Sequence, residues 1–496
     1  MKQTIDLLAF DLGAGSGRAI LGRYDGDRLR LVDVHRFPNS PIRSPDGLHW
    51  DVQRLFEGIE QGLTICGKQY GRPASVGIDT WGIDFALLDK DGELVGRPFT
   101  YRDARTEGMM EEAFKRVPRR EIFEQTGIQF MRMNTLYQVL SMAVSGSPLL
   151  GRATTFLMMP DLFNFWLTGR AVCEFTDATT TQFYDPRARA WAKPLLERMG
   201  IPTHFLPEVV MPGTVLGPLL PSVASKTGID SVPVVAPACH DTGSAVAAVP
   251  ADSDDFAYIS SGTWSLVGVE VPEPIITEDS LANNFTNEGG VGGRFRLLRN
   301  VQGLWLVQEC RRVWAEQGSD FSYDELARMA EAAPPFSAVI DPDNMMFLNP
   351  PDILAAIRGF CTDTNQAPPQ DKGGIVRCIL ESVALKHLWV LERIEKMQGR
   401  PVGVVHIVGG GSRNRLLCQF TADATGRLVL AGPAEATAVG NIIVQAMALG
   451  HVSSAAEGRA LVRRSFETQR YEPRERAPWD EMYGRLVTIL GSGGAV

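Results

Sequence analysis

A glycine-rich segment near the N-terminus, DLGAGSGR (11–18), has the residue types needed to bind phosphate. Glycine has no side chain, so the backbone N–H groups of such a turn can approach a phosphate closely, and Arg18 adds positive charge. Asp11 would repel the phosphate unless a Mg²⁺ ion lay between them, directly or through water. Considered alone, the segment fits a plain β-hairpin turn equally well.

The segment does not match the two most familiar nucleotide-binding patterns. In G-x-G-x-x-G the last glycine is replaced by Arg18, and the residues that follow, Ala19–Tyr24, have the pattern of a strand. A dinucleotide-binding fold needs a helix N-terminus at that place to face the pyrophosphate. The P-loop pattern G-x-x-x-x-G-K-[ST] does not occur in the chain.

A second candidate, His240-Asp241-Thr242-Gly243-Ser244, follows the apolar segment 232–238. An acid at the carboxyl end of a buried strand, followed by small residues, can lie in a cleft and act on a substrate. The alternative is a structural aspartate that caps the next helix. Both interpretations stay open from these residues alone.

Two further segments combine glycine with hydroxyl residues. SSGTWS (260–265) is a second candidate phosphate hairpin, although a simple Ser/Gly turn also fits. VGGGS (408–412) lies between a predicted strand and a predicted helix, where backbone without side chains can accept a flat ring such as adenine above a helix N-terminus. A flexible turn is the alternative. The four segments occur in the order that actin-like ATPases use to bind ATP, with two phosphate hairpins and an adenine platform.

The elements that must position these segments alternate between strands and amphipathic helices, which indicates an α/β protein. Two strand–turn–strand units recur about 250 residues apart, and a linker-like stretch at 247–254 separates them. We therefore predict two domains of related construction, residues 1–247 and 248–496. The predicted strands are Ile5–Asp11, Ala19–Tyr24, Leu29–Phe37, Ser75–Thr80, Val232–Ala238, Phe256–Ser260, Trp264–Val271 and Val404–Val408. The first three are joined by turns, which predicts a meander. The predicted helices include Val52–Tyr70, Ile375–Met397 and Asn414–Thr425. The spacing in the first of these helices places Leu55, Ile59, Leu63 and Cys66 on one face.

The composition excludes several classes of protein. The 496 residues carry a net charge of −9 without a basic cluster, which argues against a nucleic-acid partner. No apolar run reaches the roughly 18 residues of a membrane span, and Asp6 and Asp11 interrupt the first apolar stretch, so we expect a cytoplasmic protein. The seven cysteines form no C-x-x-C pair and indicate reduced thiols, with a Cys361–Cys378 pairing left open. The seven histidines lack metal-ligand spacing.

Over nearly its whole length the chain resembles the FGGY carbohydrate kinases. Ala14 replaces the threonine common in the wider family, and the broad K-x-W signature is not evident near 134–145. Both departures favour the branch that phosphorylates L-rhamnulose over glycerol and xylulose kinases. The strings that carry the resemblance are DLGAGSGR (11–18), GIDTWGIDF (77–85), YRDART (101–106), GIQF (127–130), NTLYQ (134–138), TDATTTQ (176–182), HDTGSAV (240–246), SSGTWSL (260–266), TNEGG (286–290), GLWLVQE (303–309) and HIVGGG (406–411).

This resemblance implies a fold, an activity and a set of ligands. The fold would consist of two actin-like (ribonuclease H-like) ATPase domains that flank a central cleft. The activity would be ATP-dependent, Mg²⁺-assisted phosphorylation of L-rhamnulose at its C1 hydroxyl. Alternatives are another ketose such as fuculose or xylulose, or an actin-like ATPase switch without sugar transfer. Monomer and homodimer both remain open.

The resemblance also assigns roles to individual positions. Asp241 would be the catalytic base, with Asp79 and Asp84 as lower-ranked candidates. Asp11 would organise the metal. The implied sugar contacts are Gly82, His240, Asp241, Thr242 and Asn300. The implied ATP contacts are Ala14, Gly15, Ser16, Gly17, Arg18, Thr263, Gln308 and Gly410.

Overall fold

Strands and helices alternate along the chain, and the computed structural model describes residues 4–348 and 350–492. The strands are β1 (Ile5–Leu12), β2 (Ser16–Tyr24), β3 (Leu29–Pro38), β4 (Ile42–Ser44), β5 (Gly47–His49), β6 (Ser75–Thr80), β7 (Phe85–Leu88), β8 (Thr155–Met158), β9 (Cys173–Glu174), β10 (Tyr184–Asp185), β11 (Ala190–Trp191), β12 (Val209–Val210), β13 (Thr214–Pro218), β14 (Pro233–Ala236), β15 (Phe256–Ser261), β16 (Trp264–Val271), β17 (Thr286–Gly289), β18 (Phe295–Gln302), β19 (Val404–Val408), β20 (Leu428–Ala431) and β21 (Gln469–Tyr471). The helices are α1 (Val52–Gln69), α2 (Met109–Arg116), α3 (Arg119–Thr126), α4 (Thr135–Val144), α5 (Pro148–Arg152), α6 (Met159–Thr168), α7 (Phe175–Ala178), α8 (Lys193–Arg198), α9 (Pro221–Thr227), α10 (Asp241–Ala247), α11 (Glu278–Ala282), α12 (Trp305–Glu316), α13 (Tyr323–Ala332), α14 (Ile353–Asp363), α15 (Lys372–Gln398), α16 (Arg415–Thr425), α17 (Ala436–Ala448), α18 (Ala455–Ser465) and α19 (Ala477–Ser492).

The chain forms two compact units that are interleaved in sequence. The first unit contains the chain up to Asp252 together with Glu270–Leu297 and Ala436–Phe466. The second unit contains Ser253–Val269, Leu298–Glu435 and the chain from Glu467 onward. The two continuous domains 1–247 and 248–496 stay a prediction.

The first unit is built on a sheet in the order β13-β14-β6-β1-β2-β3. β1, β2 and β3 form the predicted antiparallel meander, while β1, β6 and β14 run parallel to one another. Parallel strands require long crossover connections, and α1 provides one of them between β3 and β6. The buried face of α1 contains Leu55, Ile59, Leu63 and Cys66, with the helical spacing that the sequence predicts.

The helix α17 reaches the first unit from a distant part of the chain and packs against α10, β1 and β6. Its Gly440 allows a close helix crossing, because a Cβ there would lie 1.7 Å from the carbonyl oxygen of Ser244. Gln445 accepts a hydrogen bond from the Ser75 hydroxyl (2.7 Å) and donates to the carbonyl oxygen of Leu8 (3.1 Å). Buried polar side chains with partners of this kind fix one register of packing.

The second unit has its own sheet and its own core. β15 lies between antiparallel β16 and parallel β19, and β20 and β21 continue the sheet beyond β19. The long helix α15 is buried along most of its length, and its apolar residues join those of α12, α13, α14, α16 and α19 in one hydrophobic cluster. The α/β fold class predicted from the sequence is confirmed.

The described residues also show whether the cysteines form disulfides and whether a helix could cross a membrane. All seven cysteines are buried and free, so Cys361 and Cys378 do not form the disulfide that the sequence left open. In residues 4–348 and 350–492, no helix combines the length and the apolar character that crossing a membrane requires.

Candidate active site

Three acidic side chains meet at the carboxyl edge of the first unit's parallel strands. Asp11 lies one residue before the end of β1 and is in register with Asp79 on β6. Asp241 begins α10, directly after His240, which forms a parallel bridge with Thr80 at the end of β6. Since ligands bind outside the carboxyl ends of parallel strands in α/β sheets, this edge is the natural place for chemistry.

The charge of this cluster is strongly unbalanced. Asp11 pairs with the guanidinium of Arg18, which faces it across the β1–β2 ladder. Burial, reinforced by the negative charge of Asp11, raises the pKa of Asp241 to about 7. The same two causes, in the same order, raise the pKa of Asp79 well above its ordinary value. The cluster therefore favours the arrival of a proton or a cation.

Exposure distinguishes Asp241 from the two other candidate bases. The Asp241 side chain keeps 33% of its surface exposed, whereas Asp79 and Asp84 are fully buried. Asp79 accepts a hydrogen bond of 2.6 Å from the side-chain amide of Asn441 on α17. The donors to the Asp84 carboxylate are Trp50 Nε1 (2.6 Å), Trp81 Nε1 (3.0 Å), the Tyr101 backbone N–H (3.1 Å) and Gln138 Nε2 (2.9 Å). The Asp84 carboxylate is thus satisfied by donors within the fold, whereas the Asp241 carboxylate is partly exposed.

The backbone before Asp241 is held by a buried acid that the sequence did not single out. Glu174 accepts hydrogen bonds from the Cys239 N–H (2.9 Å) and from the hydroxyl of Thr176 (2.5 Å). The Thr176 hydroxyl in turn accepts one from the His240 N–H (3.0 Å). Asp241 Oδ1 accepts from the Thr242 N–H at 2.5 Å. This chain of hydrogen bonds gives the predicted sugar-binding triplet a defined backbone.

Gly82 begins a strained turn on the same unit. A Cβ on Gly82 would lie 3.1 Å from Thr180 and 3.3 Å from the Asp177 carboxylate, so a larger residue would crowd both. The next residue, Ile83, has φ = 65°, which is an outlier for a β-branched side chain. Its N–H donates to the Thr180 hydroxyl (3.1 Å) and its carbonyl accepts from Thr135 (2.6 Å). Strain of this kind occurs preferentially where a ligand is held.

The predicted phosphate hairpin is the turn between β1 and β2. Gly15 and Ser16 are exposed, and no atom would contact a Cβ on Gly15. Gly17 has a different reason to be glycine, since a Cβ there would lie 2.3 Å from the ring of Phe37. The side chain and N–H of Asn39 bind the carbonyls of the turn at 2.9 and 3.2 Å. The hairpin is therefore rigid and open at its tip.

The second unit contains a cavity of about 1380 Å³ that collects the other predicted nucleotide contacts. Gln308 and Gly410 line it, and the Thr263 hydroxyl donates to Gln308 Oε1 at 3.3 Å. Other lining residues are Gly262, Tyr323, Asn414, Gln419, Phe420 and Tyr471. A cavity of this size with aromatic, amide and backbone groups in its wall can hold a nucleoside.

The three glycines after β19 differ in their roles. Gly409 has φ = 82°, a left-handed conformation that favours glycine. A Cβ on Gly411 would lie 2.0 Å from the hydroxyl of Ser261, so this position is set by packing against the β15–β16 hairpin. Gly410 lines the cavity, and no atom would lie within 4 Å of a Cβ there. Of these three glycines, Gly410 is therefore the one that is free to contact a ligand.

Asn300 is the one predicted sugar contact that belongs to the second unit. It lies near the end of β18, is half-buried and belongs to the second unit, whereas Gly82, His240, Asp241 and Thr242 belong to the first. Its role as a sugar contact stays a prediction.

The donor set around Asp11 bears on the predicted metal. Among the described residues, no group of three or more His, Cys, Asp or Glu side chains is arranged to hold a metal ion. Mg²⁺ in phosphotransferases is commonly bound by one or two carboxylates, with waters and substrate phosphates completing the shell. Asp11, in a cluster with excess negative charge, fits that use.

Comparison with family models finds two matches that together span most of the chain. Residues 7–248 match the N-terminal domain of the FGGY family of carbohydrate kinases, and residues 257–449 match the C-terminal domain of the same family.

Comparison with curated proteins and solved structures agrees with those matches. A rhamnulokinase of Bacteroides thetaiotaomicron is 45% identical over 483 residues, covering 97% of this chain and 98% of that protein. A rhamnulokinase of Oceanobacillus iheyensis is 40% identical over 464 residues, covering 94% and 97%. Gluconate kinase from Lactobacillus acidophilus has a TM-score of 0.81 at 17% identity, and xylulose kinase from Rhodospirillum rubrum one of 0.80 at 18%, each covering 99% of both chains. At these low identities the structural matches establish the fold alone.

Proposed function

The chain belongs to the FGGY family of carbohydrate kinases, and we propose that ATP phosphorylates L-rhamnulose at its C1 hydroxyl on this enzyme, giving L-rhamnulose 1-phosphate and ADP. The relatives named rhamnulokinase support this substrate, because their sequence identity of 37–45% extends over nearly the full length. The observation that carries the transfer step is the partly exposed Asp241 carboxylate at the edge of the parallel strands, with its pKa raised to about 7.

Asp241 is the proposed general base. A base is most effective when its pKa lies near the working pH, because it is then ionised and still binds a proton strongly. Asp241 would accept the proton of the C1 hydroxyl as that oxygen attacks the γ-phosphorus in line. Phosphoryl transfer depends largely on positioning and on neutralising charge, so the hydrogen bonds that fix Asp241 serve the reaction directly.

Asp11 is the residue we propose for the metal. Bound with ATP, Mg²⁺ would neutralise charge on the phosphate oxygens. The Asp11 carboxylate would hold it directly or through water. Arg18 pairs with that carboxylate and orients it.

The proposed ligand contacts are distributed over both units. For ATP they are the hairpin Ala14–Arg18 on the first unit, whose tip at Gly15 and Ser16 is exposed, and Thr263, Gln308 and Gly410 around the cavity of the second unit. For the sugar they are Gly82, His240, Thr242 and Asn300, together with the base.

A coupled ADP-release assay with L-rhamnulose, L-fuculose, D-xylulose and glycerol tests the proposal. We expect the highest kcat/KM with L-rhamnulose, because buried hydrogen-bonding groups discriminate strongly against a sugar whose hydroxyls do not match them. A higher value with another sugar would make the substrate assignment wrong and leave the family intact. ATP turnover that responds to no sugar would instead favour an actin-like ATPase switch.

A further inference from the structure

A fully buried arginine, Arg296 on β18, lies directly against His240. A buried guanidinium is costly unless its donors and its charge are matched. Its Nε donates to the carbonyl oxygen of Gly289 (2.8 Å), and one terminal nitrogen lies 3.2 Å from the Glu288 carboxylate. The same terminal nitrogen lies 3.1 Å from Nδ1 of His240. All four residues belong to the first unit.

This contact determines which ring nitrogen of His240 carries the proton. A guanidinium has donors and no acceptor, so Nδ1 must accept the hydrogen bond with its lone pair. In a neutral imidazole the proton is then on Nε2, the nitrogen that lies 3.4 Å from Asp241 Oδ1. A proton on Nδ1 would point into the positively charged guanidinium. Burial and the charge of Arg296 also lower the pKa of His240 well below its ordinary value, which agrees with a neutral ring.

We infer that Arg296 is a positioning residue, which locks the tautomer and the ring plane of His240 so that Nε2–H is presented beside Asp241 as a donor to a substrate hydroxyl. The inference rests on the proposed function for the identity of that substrate. Glu288 balances the charge of the guanidinium. Its Oε2 also lies 3.5 Å from His240 Nδ1, but it accepts no hydrogen bond there, because Nδ1 carries no proton in this tautomer.

The surroundings of Arg296 explain why another cation would not serve. Its planar fork contacts a carbonyl, a ring nitrogen and a carboxylate at once, which a lysine ammonium cannot reproduce in the same space. The carbonyl belongs to Gly289, whose N–H donates to Thr179 (2.7 Å) and whose missing Cβ leaves room for Phe175. Arg296 is therefore held by the backbone of Gly289, and it holds the imidazole of His240 in turn.

The first test is the ¹⁵N NMR spectrum of the ligand-free, full-length protein labelled in its histidine side chains. The His240 signals are assigned by their loss in His240→Asn. We expect a protonated Nε2 and an unprotonated Nδ1 at neutral pH. A proton on Nδ1 of the wild-type ring would overturn the inference, whatever sugar the enzyme uses.

The second test removes the guanidinium. The variant combines Arg296→Met with Glu288→Gln, so that no buried carboxylate is left unpaired. Arg294→Met is the matched control, because Arg294 lies two residues away and is half-buried. In the double variant we expect mixed His240 tautomers and a roughly tenfold or larger fall in kcat/KM for the best sugar of the panel, since a misdirected donor leaves a buried polar group unpaired. The KM for ATP should stay unchanged.

The outcomes separate the inference from the proposed function. A folded double variant with the Nε2–H tautomer and wild-type sugar kinetics would overturn the role of Arg296. If the double variant does not fold, Arg296→Lys provides the same comparison, because it keeps the charge and loses the fork. A different best sugar in the panel would change the substrate and leave the tautomer result standing.

Discussion

Replacing Asp241 with asparagine should separate catalysis from both folding and binding. Asparagine has nearly the same volume as aspartate and retains an oxygen that can accept the 2.5 Å hydrogen bond from the Thr242 N–H. What it loses is the oxygen that takes a proton. We therefore expect Asp241→Asn to bind ATP and sugar almost normally and to fail at the transfer step.

The magnitude follows from the worth of a positioned base. Such a base contributes about 10²–10⁴-fold to kcat, which corresponds to about 2.7–5.4 kcal/mol of activation free energy. The same variant should be at least as stable to unfolding as the wild type, although it loses activity. The pKa of Asp241 is raised from 3.8 to about 7, mainly by burial, so the free energy of unfolding falls as the pH rises from about 4 to about 7, and the loss is complete above pH 7. The Tm of Asp241→Asn at pH 8 should equal or exceed that of the wild type, and any gain should shrink between pH 7 and pH 4.

The assay compares kcat, sugar and ATP dissociation constants and Tm for three single variants. Asp79→Asn is the matched control, because Asp79 lies in the same acidic cluster but is fully buried and bonded to Asn441. Asp84→Asn should lose stability, since an amide nitrogen would face some of the donors that now converge on the carboxylate. Near-normal turnover in Asp241→Asn, with Asp79→Asn inactive but still binding both ligands, would refute the reasoning.

Four further results are expected. The kcat/KM of the wild type should fall about tenfold per pH unit below pH 7 as Asp241 becomes protonated, which a pH–rate profile measures. Raised Mg²⁺ should partly restore turnover in Asp11→Asn and leave Asp241→Asn unchanged in a magnesium titration. Gly411→Ala should lower Tm, because its methyl group would overlap the hydroxyl of Ser261. Gly410→Ala should leave Tm unchanged and weaken ATP binding, as measured by calorimetry. Gly440→Ala should lower the free energy of unfolding, measured with denaturant, by roughly 1–3 kcal/mol or more, because its methyl group would overpack against α10. Wild-type stability of this variant would contradict the close packing of α17 against α10.

The sequence by itself determined the local structure that carries most of the candidate site. Strand alternation and glycine turns predicted the β1–β2–β3 meander and the β15–β16 hairpin, and the spacing of Leu55, Ile59 and Leu63 predicted the buried face of α1. These signals are short in range, because turn conformation and the facing of a helix depend on neighbouring residues. The motif around Asp241 is also local, but its residues alone left two interpretations open, and the predicted catalytic role came from the resemblance to the FGGY kinases.

Only the tertiary structure decided which of these residues have partners from distant parts of the chain. Nothing near Asp84 in sequence predicts that Trp50 and Gln138 satisfy it, and nothing near His240 predicts the buried guanidinium of Arg296. The return of α17 to the first sheet is equally absent from local pattern. Such contacts depend on how whole elements pack, and burial then sets the pKa values and tautomers on which the chemistry depends.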